Sequence, residues 1–397
     1  MSLSPSDLER IPESIIQIYQ ELEEYIIKDF ARRISKVGEI TSSAEWQALR
    51  AKEIGISTKY IKDEIQRILN LSDKAIDKLF SDSALKSMAN DNKIFESGGL
   101  DSIKLEEHPK LKELINFYTK QTKGELSNFT NSLGFAERVN GKIVYSSIAK
   151  FYQKHLDLAQ MKVQTGVASY NTAVKEAIKK LTDSGLRYVN YESGWSNNID
   201  VAVRRVVISG TNQMASKMVD YNCDVLGIEL IEVSAHGGAR LSHQEWQGQV
   251  YTRGVATADY ENFEEATNYG EADGLCGANC RHSYAPFIEG TARTWSKDEL
   301  EKLKNETYEY EGKKYTEYEA NQKQRQYERA IRQTKRELIG YKAAGIKEEF
   351  NKASAKLQQQ KRAYESFSKG TGLRVKNERH QVYGFDRSIA GQSRNMK

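Results

Sequence analysis

Cys276-x3-Cys280-x-His282 places three soft ligand side chains within seven residues, and His236 and His243 lie upstream of them. Thiolate and imidazole are the donors of a tetrahedral zinc site, which needs four such groups converging, usually from two turns. The spacing departs from the Cys-x2-Cys of ordinary structural zinc turns. Two readings follow. In one, Cys276, Cys280, His282, His236 and His243 supply the ligands of a single structural zinc. In the other, the histidines hydrogen-bond inside a loop-rich fold and the cysteines fill small buried spaces.

Catalysis is the competing chemistry. Two histidines, an arginine and Glu245 form a candidate general acid–base set for phosphodiester cleavage. His243-x-Glu245 is similar to the His-x-Glu of zinc deaminases, but the Pro-Cys-x-x-Cys that accompanies it there is missing. No Walker A loop, nucleophile elbow or His-Glu-x-x-His helix is present. The enzyme reading, a nuclease or an ADP-ribosyl-transferring effector, is therefore the rival and no catalytic residue is assigned.

The stretch from Val233 to Gly290 holds three of the six His, two of the three Cys and one of the four Pro. Its other residues suit a loop that must satisfy its own backbone. Gly248 and Gly274 permit backbone angles closed to other residues. Arg240 and Arg281 offer planar forks of donors. Asn279 can pair with backbone on both sides, Trp246 supplies apolar area, and Pro286 closes the motif.

The rest of the chain must position this stretch. Hydrophobic residues are 39% and charged residues 29% of 397, with a net charge of +4. That balance suits elongated helices better than one large body, and the mild charge allows nucleic-acid contact without demanding it. Three Cys cannot form a paired disulfide framework, which points to synthesis in a reduced cytoplasm. No secretory signal and no apolar stretch long enough to span a bilayer is found.

Five consecutive segments are expected: a helical N-terminal region (1–135), a linker hairpin and long helix (136–185), a central α+β domain (186–295), a helical hairpin (296–370) and a polar tail (371–397). Ser4-Pro5-Ser6-Asp7 reads as a helix entrance, with Pro12 tolerated in the early turns and Gly38 ending the run. Leu8, Ile11, Ile15, Ile18, Leu22 and Ile26 form an apolar stripe that the short, charged helices nearby do not obviously cover. The stripe is therefore either the core of the N-terminal region or a candidate partner-binding face. Separate helices are expected over 44–54, 57–69 and 72–88, then from 109 to about 120, with another from Gly124.

Asn140-Gly141 between β-prone residues predicts a hairpin over 138–145, with a helix–helix turn as the alternative. A helix over 146–183 is interrupted at Gly166, and another spans 199–219 with Arg204-Arg205 facing solvent. Residues 228–234 alternate like a strand. A second hairpin turns at Gly312. Two long amphipathic helices follow, broken at Ala344-Gly345. Their excess of cations includes Arg325, Arg329, Arg332, Lys335 and Arg336, a candidate face for DNA or a partner and otherwise a solvated surface. Val382-Tyr383-Gly384-Phe385 could dock as a short strand in an otherwise loose tail. The fold class is mostly α, with a small α+β, loop-rich central domain and long amphipathic C-terminal helices.

Ala235-His-Gly-Gly-Ala-Arg-Leu-Ser-His-Gln-Glu-Trp-Gln-Gly248, followed by Asp273-Gly-Leu-Cys-Gly-Ala-Asn-Cys-Arg-His-Ser-Tyr-Ala-Pro-Phe-Ile-Glu-Gly290, closely resembles the phage minor capsid protein 2 family of tailed phages and prophages of Gram-positive bacteria. Tyr318-Glu-Ala-Asn-Gln-Lys-Gln-Arg-Gln-Tyr-Glu-Arg-Ala-Ile-Arg332 resembles it too. The likeness is strong from about 189 to 338 and weaker before that. The family looks related to the Mu F-like head morphogenesis proteins, whose Asn-Cys-Arg-Cys ending stands here as Asn279-Cys280-Arg281-His282. That exchange keeps a metal-binding side chain. The resemblance implies a structural, non-enzymatic head component present in few copies near the portal. It also implies portal and major capsid or scaffold proteins as partners; non-specific contact with packaged DNA is the expectation from the basic helices, and no membrane association that from the lack of a spanning stretch. The implied location is the virion, at the portal vertex or the capsid interior, after synthesis in the host cytoplasm.

Overall fold

The computed structural model describes residues 2–37, 43–190 and 192–394; Gly38 lies outside them. In chain order the helices are α1 (Pro5–Arg10), α2 (Glu13–Ile34), α3 (Ser43–Ser97), α4 (Pro109–Thr130), α5 (Ile148–Gln164), α6 (Tyr170–Ser184), α7 (Ile199–Leu226), α8 (Leu241–Gln244), α9 (Phe263–Thr267), α10 (Lys297–Asn305), α11 (Glu317–Ala344), α12 (Lys347–Gly370) and α13 (Arg387–Arg394). The strands are β1 (Leu133–Val139), β2 (Lys142–Ser147), β3 (Arg187–Asn190), β4 (Trp195–Asn198), β5 (Leu230–Val233), β6 (Val250–Thr252), β7 (Tyr284–Phe287), β8 (Thr307–Tyr310) and β9 (Lys313–Thr316). The protein is mostly α with small antiparallel sheets, and its C-terminal helices are long.

Two compact units are each assembled from three separated stretches. The first takes Met1–Ile16, Ser72–Leu126 and Val203–Asn321; the second takes Gln17–Leu71, Ser127–Ala202 and Gln322–Lys397. The unit boundaries fall inside long helices rather than at loops.

In the first unit, α1 starts with a capping box. Ser4 accepts from the Asp7 N–H, Asp7 reaches back to the Ser4 N–H, and Pro5 occupies the first turn, where its missing N–H costs nothing. Gly99, at φ +74°, closes α3 with a Schellman turn: the Leu100 N–H donates to the Phe95 carbonyl at 2.8 Å and the Gly99 N–H to that of Glu96 at 3.1 Å. Gly210 on α7 marks a close helix crossing, since a Cβ there would overlap Thr122 Oγ1 on α4 and come within 3.2 Å of Phe80 on α3. The sheet runs β6-β5-β7, with Ile231 opposite Tyr251 on one side and Pro286 on the other. Pro286, lacking an N–H, is tolerated because β7 is an edge strand.

In the second unit, the sheet runs β2-β1-β3-β4. Val139 pairs with Lys142, so Asn140 and Gly141 alone make the turn, at φ +49° and +80°. This is the type I′ geometry that Asn-Gly favours. Phe30, Phe135, Phe151 and Tyr152 are buried together, with ring centroids 4.9 Å apart for Phe30–Tyr152 and 4.5 Å for Phe135–Phe151. Arg336 on α11 forms a buried ion pair with Glu23 on α2 at 2.7 Å.

Several expectations change. The helices expected over 44–54, 57–69 and 72–88 are one 55-residue helix, α3. Ser57, placed to cap the second of these helices, is instead buried within α3 with its hydroxyl on Asp29. Gly124 stays inside α4, and α1 ends at Arg10, just before Pro12. Val382–Phe385 forms a turn rather than a strand, and the tail carries α13. Arg204 and Arg205 are half-buried, and Arg204 donates to the Glu9 carbonyl at 3.0 Å.

The N-terminal stripe is internal. Leu8, Ile15, Leu22 and Ile26 are buried, and Ile11 and Ile18 half-buried. Helix α7 supplies part of the cover, since Leu3, Leu8 and Ala215 form one cluster with Ile11 packed on it. The cations of α11 do not make a single outward face either. Arg336 is paired to Glu23, and Lys335 is buried with its ammonium on the His380 carbonyl at 2.6 Å. Arg332 is half-buried, 3.7 Å from Asp200, and Arg325 is half-buried. Arg329 alone of the five is exposed.

Candidate metal centre

The site is built in the first unit, from α8, the loop between α9 and β7, and α7. Among the described residues, His243, Cys280 and His282 bring their ligand atoms within 4.8 Å of one another, and all three are buried. His243 Nδ1 lies 3.4 Å from His282 Nδ1, and Cys280 Sγ lies 3.9 and 3.6 Å from these two nitrogens. His243 Nε2 faces the Asp273 carbonyl at 2.7 Å, and His282 Nε2 faces Gln247 Oε1 at 3.0 Å.

The other two candidates stand beside this trio. Cys276 is buried with its Sγ 3.1 Å from Ser216 Oγ on α7, and lies 3.9 Å from the His282 carbonyl. His236 stacks on His282 with centroids 4.3 Å apart and points Nδ1 at the Gly237 carbonyl, 2.8 Å away. Trp246 closes the other side, edge-on to His282 at 4.8 Å and tilted against His243 at 4.5 Å.

Loop chemistry makes the convergence. Gly274 lies so close to the Asn268 carbonyl that a Cβ would overlap it, and Gly277 likewise approaches Glu271 and Ala272 backbone. Cys276 and Asn279 adopt φ +60° and +57°, inside turns closed by the Gly277 N–H on the Gly274 carbonyl and the Cys280 N–H on the Gly277 carbonyl. Arg240 donates to the Ala278 carbonyl, which ties α8 to the cysteine loop. Gly248, at φ +70°, packs so tightly on Leu300 that a Cβ would overlap its side chain.

Burial sets the protonation states. It pulls the imidazoles of His243 and His282 below their ordinary values, His282 well below, and takes His236 down to about 3 with help from the Arg281 charge. The same burial pushes the Cys276 and Cys280 thiols up. Neutral imidazole is the form that binds a metal.

The acid–base set does not assemble. Both ring nitrogens of His243 already face other groups, whereas the Glu245 side chain is 71% exposed beside Lys304 at 3.4 Å. Sequence reasoning also missed residues that hold the site: Gln247, Asn212, whose amide donates to the His282 carbonyl at 2.8 Å, and Ser216. A signal existed in α7, where Thr211, Asn212, Ser216 and Asn222 interrupt an apolar helix and are all buried.

The model of the phage minor capsid protein 2 family matches residues 3–369. The chain belongs to that family. Searches of curated proteins and of solved structures give no match. As a phage minor capsid protein it has a structural role in the virion, in company with other virion components. Membership also extends the N-terminal end of the likeness, which the motifs alone carry strongly only from about 189. Among its described residues no helix is long and apolar enough to cross a membrane.

Proposed function

We propose that this minor capsid protein acts in head morphogenesis as a non-enzymatic component near the portal vertex. It enters the head in few copies after synthesis in the host cytoplasm, and contacts the portal protein and the inner surface of the major capsid or scaffold protein. The extent of the family match carries the reading: residues 3–369 reach into every segment of both compact units. The structural role therefore belongs to the whole chain rather than to one appended domain.

Burial supports the non-enzymatic part. His243, Cys280 and His282 are each at most 2% exposed, and a reacting group must meet its substrate. Packaged DNA is a minor partner in this reading, because Arg329 is the exposed member of the basic set on α11.

The test is a phage that carries the chain with an affinity tag. Portal protein should co-purify from the lysate, and purified heads should contain the chain at far fewer copies than the major capsid protein. Capsid-like stoichiometry, or a portal that does not follow the tag, overturns the placement. DNA or NAD turnover by the purified chain that disappears in His243→Ala overturns the non-enzymatic reading.

A further inference from the structure

The two central imidazoles present bare nitrogens to each other. The Asp273 carbonyl has no proton to give, so His243 Nε2, 2.7 Å away, donates. Gln247 Oε1 also accepts the His236 N–H at 3.1 Å, which fixes the amide orientation, so His282 Nε2 donates as well. A neutral imidazole carries one proton. Each Nδ1 is therefore a lone pair, and the two are 3.4 Å apart in a closed site. The Cys280 S–H can serve one of them only. Two buried lone pairs held face to face call for a cation between them.

Distances identify its kind. Bonds of about 2.05 Å to nitrogen and about 2.3 Å to sulfur at tetrahedral angles separate two nitrogens by about 3.3–3.4 Å and a nitrogen from a sulfur by about 3.5–3.6 Å. The observed separations are 3.4 Å for the nitrogens and 3.6 and 3.9 Å to the sulfur. We propose that His243 Nδ1, His282 Nδ1 and Cys280 Sγ bind one zinc ion per chain, with the Asp273 carbonyl and Gln247 orienting the two imidazoles. Two nitrogens and a thiolate suit zinc better than calcium or magnesium, which prefer oxygen. Carbonyl or amide acceptors behind each ligating imidazole are the usual outer shell of such a site.

The set differs from the five candidates that spacing suggests. The Cys276 thiol is held by Ser216, and His236 turns its Nδ1 to the Gly237 carbonyl and covers the face of His282. The ion fastens α8 to the loop before β7, two pieces joined otherwise by the Arg240–Ala278 and His243–Asp273 hydrogen bonds and by ring contacts. Three protein ligands leave zinc's fourth tetrahedral position to a non-protein ligand such as water, and burial of all three side chains keeps substrate away from the ion, so the role is structural.

The experiment uses the full chain, purified and freed of loosely held metal with a weak chelator. Elemental analysis should find about one zinc per chain, and a strong chelator should lower the melting temperature. Cys280→Ser should lose the metal, while Cys276→Ser keeps it. Cobalt substitution guards against variants that fail to fold: the intact chain should show tetrahedral d–d absorption and a thiolate-to-cobalt charge-transfer band, and folded Cys280→Ser should lack that band. Less than about a tenth of an equivalent of zinc with melting unmoved by chelator overturns the proposal. Metal lost from Cys276→Ser but kept in Cys280→Ser overturns the ligand set.

Discussion

Arg281 donates to Glu9 across 272 residues of chain, Nη1 to Oε2 at 2.8 Å, and so ties the cysteine loop to α1. Both side chains are about one-fifth exposed, so water screens the pair only partly. Arg204 adds a second tie to Glu9 through its carbonyl, and the Ser283 hydroxyl a third through the Leu3 carbonyl. A double-mutant cycle on Arg281→Ala and Glu9→Ala should give a coupling of about 1–2 kcal/mol in chemical unfolding. Additive single mutants would show that this ion pair contributes nothing and that the N-terminus is held by the other two bonds and the apolar cluster.

Arg336 and Glu23 lie deeper, at 6% and 4% side-chain exposure, and Glu23 also accepts the Leu186 N–H at 2.8 Å. Arg336→Ala leaves a buried carboxylate without its cation and should cost about 3–5 kcal/mol, read as lost soluble yield and a lower melting point. Arg329→Ala, at an exposed position, should stay within about 0.5 kcal/mol of the parent. Any salt-sensitive DNA binding by the intact chain should weaken with Arg329→Ala. An Arg336→Ala protein with unchanged stability and reduced DNA binding would restore α11 as a DNA face.

Asp91 on α3 gives a pH signature. Burial pushes its carboxyl up to about 7, against the smaller pull of the Ser2 hydroxyl at 3.3 Å. With the folded value above the unfolded one, the unfolded chain releases this proton first as pH rises. The contribution of Asp91 to stability is therefore full below about pH 4, falls through the window from 4 to 7 and is flat above it, a total of about 4 kcal/mol that the lowered histidines oppose in the same window. Cys223 does not confuse the window, because burial pushes its thiol up to about 12. Asp91→Asn should flatten this slope in thermal melts and be the more stable protein at pH 8. An unchanged slope would assign the pH dependence to other groups.

The sequence by itself determined what neighbours along the chain can determine. Asn140-Gly141 made its hairpin turn because both residues tolerate positive φ, and Gly312 at φ +75° served the second hairpin in the same way. Ser4 capped α1, and Gly345 at φ +74° separated α11 from α12. The motif around Cys276, Cys280 and His282 announced both the family and a ligand cluster. Tertiary structure decided what depends on partners far along the chain. A serine that could cap a helix was instead buried on Asp29, so α3 ran through Ser57. The apolar stripe of α1 and α2 could be read as core or as a surface, and the cations of α11 as a face, until Ala215 covered part of the first and Glu23 paired one of the second. Within the cluster, composition offered five candidates, and packing gathered the ligand atoms of three of them. Ser216 held one thiol aside, and the Asp273 carbonyl and Gln247 took the two Nε2 protons, which left both Nδ1 lone pairs facing the Cys280 sulfur. Spacing cannot encode that choice, because it rests on which carbonyl each ring meets after the chain has folded.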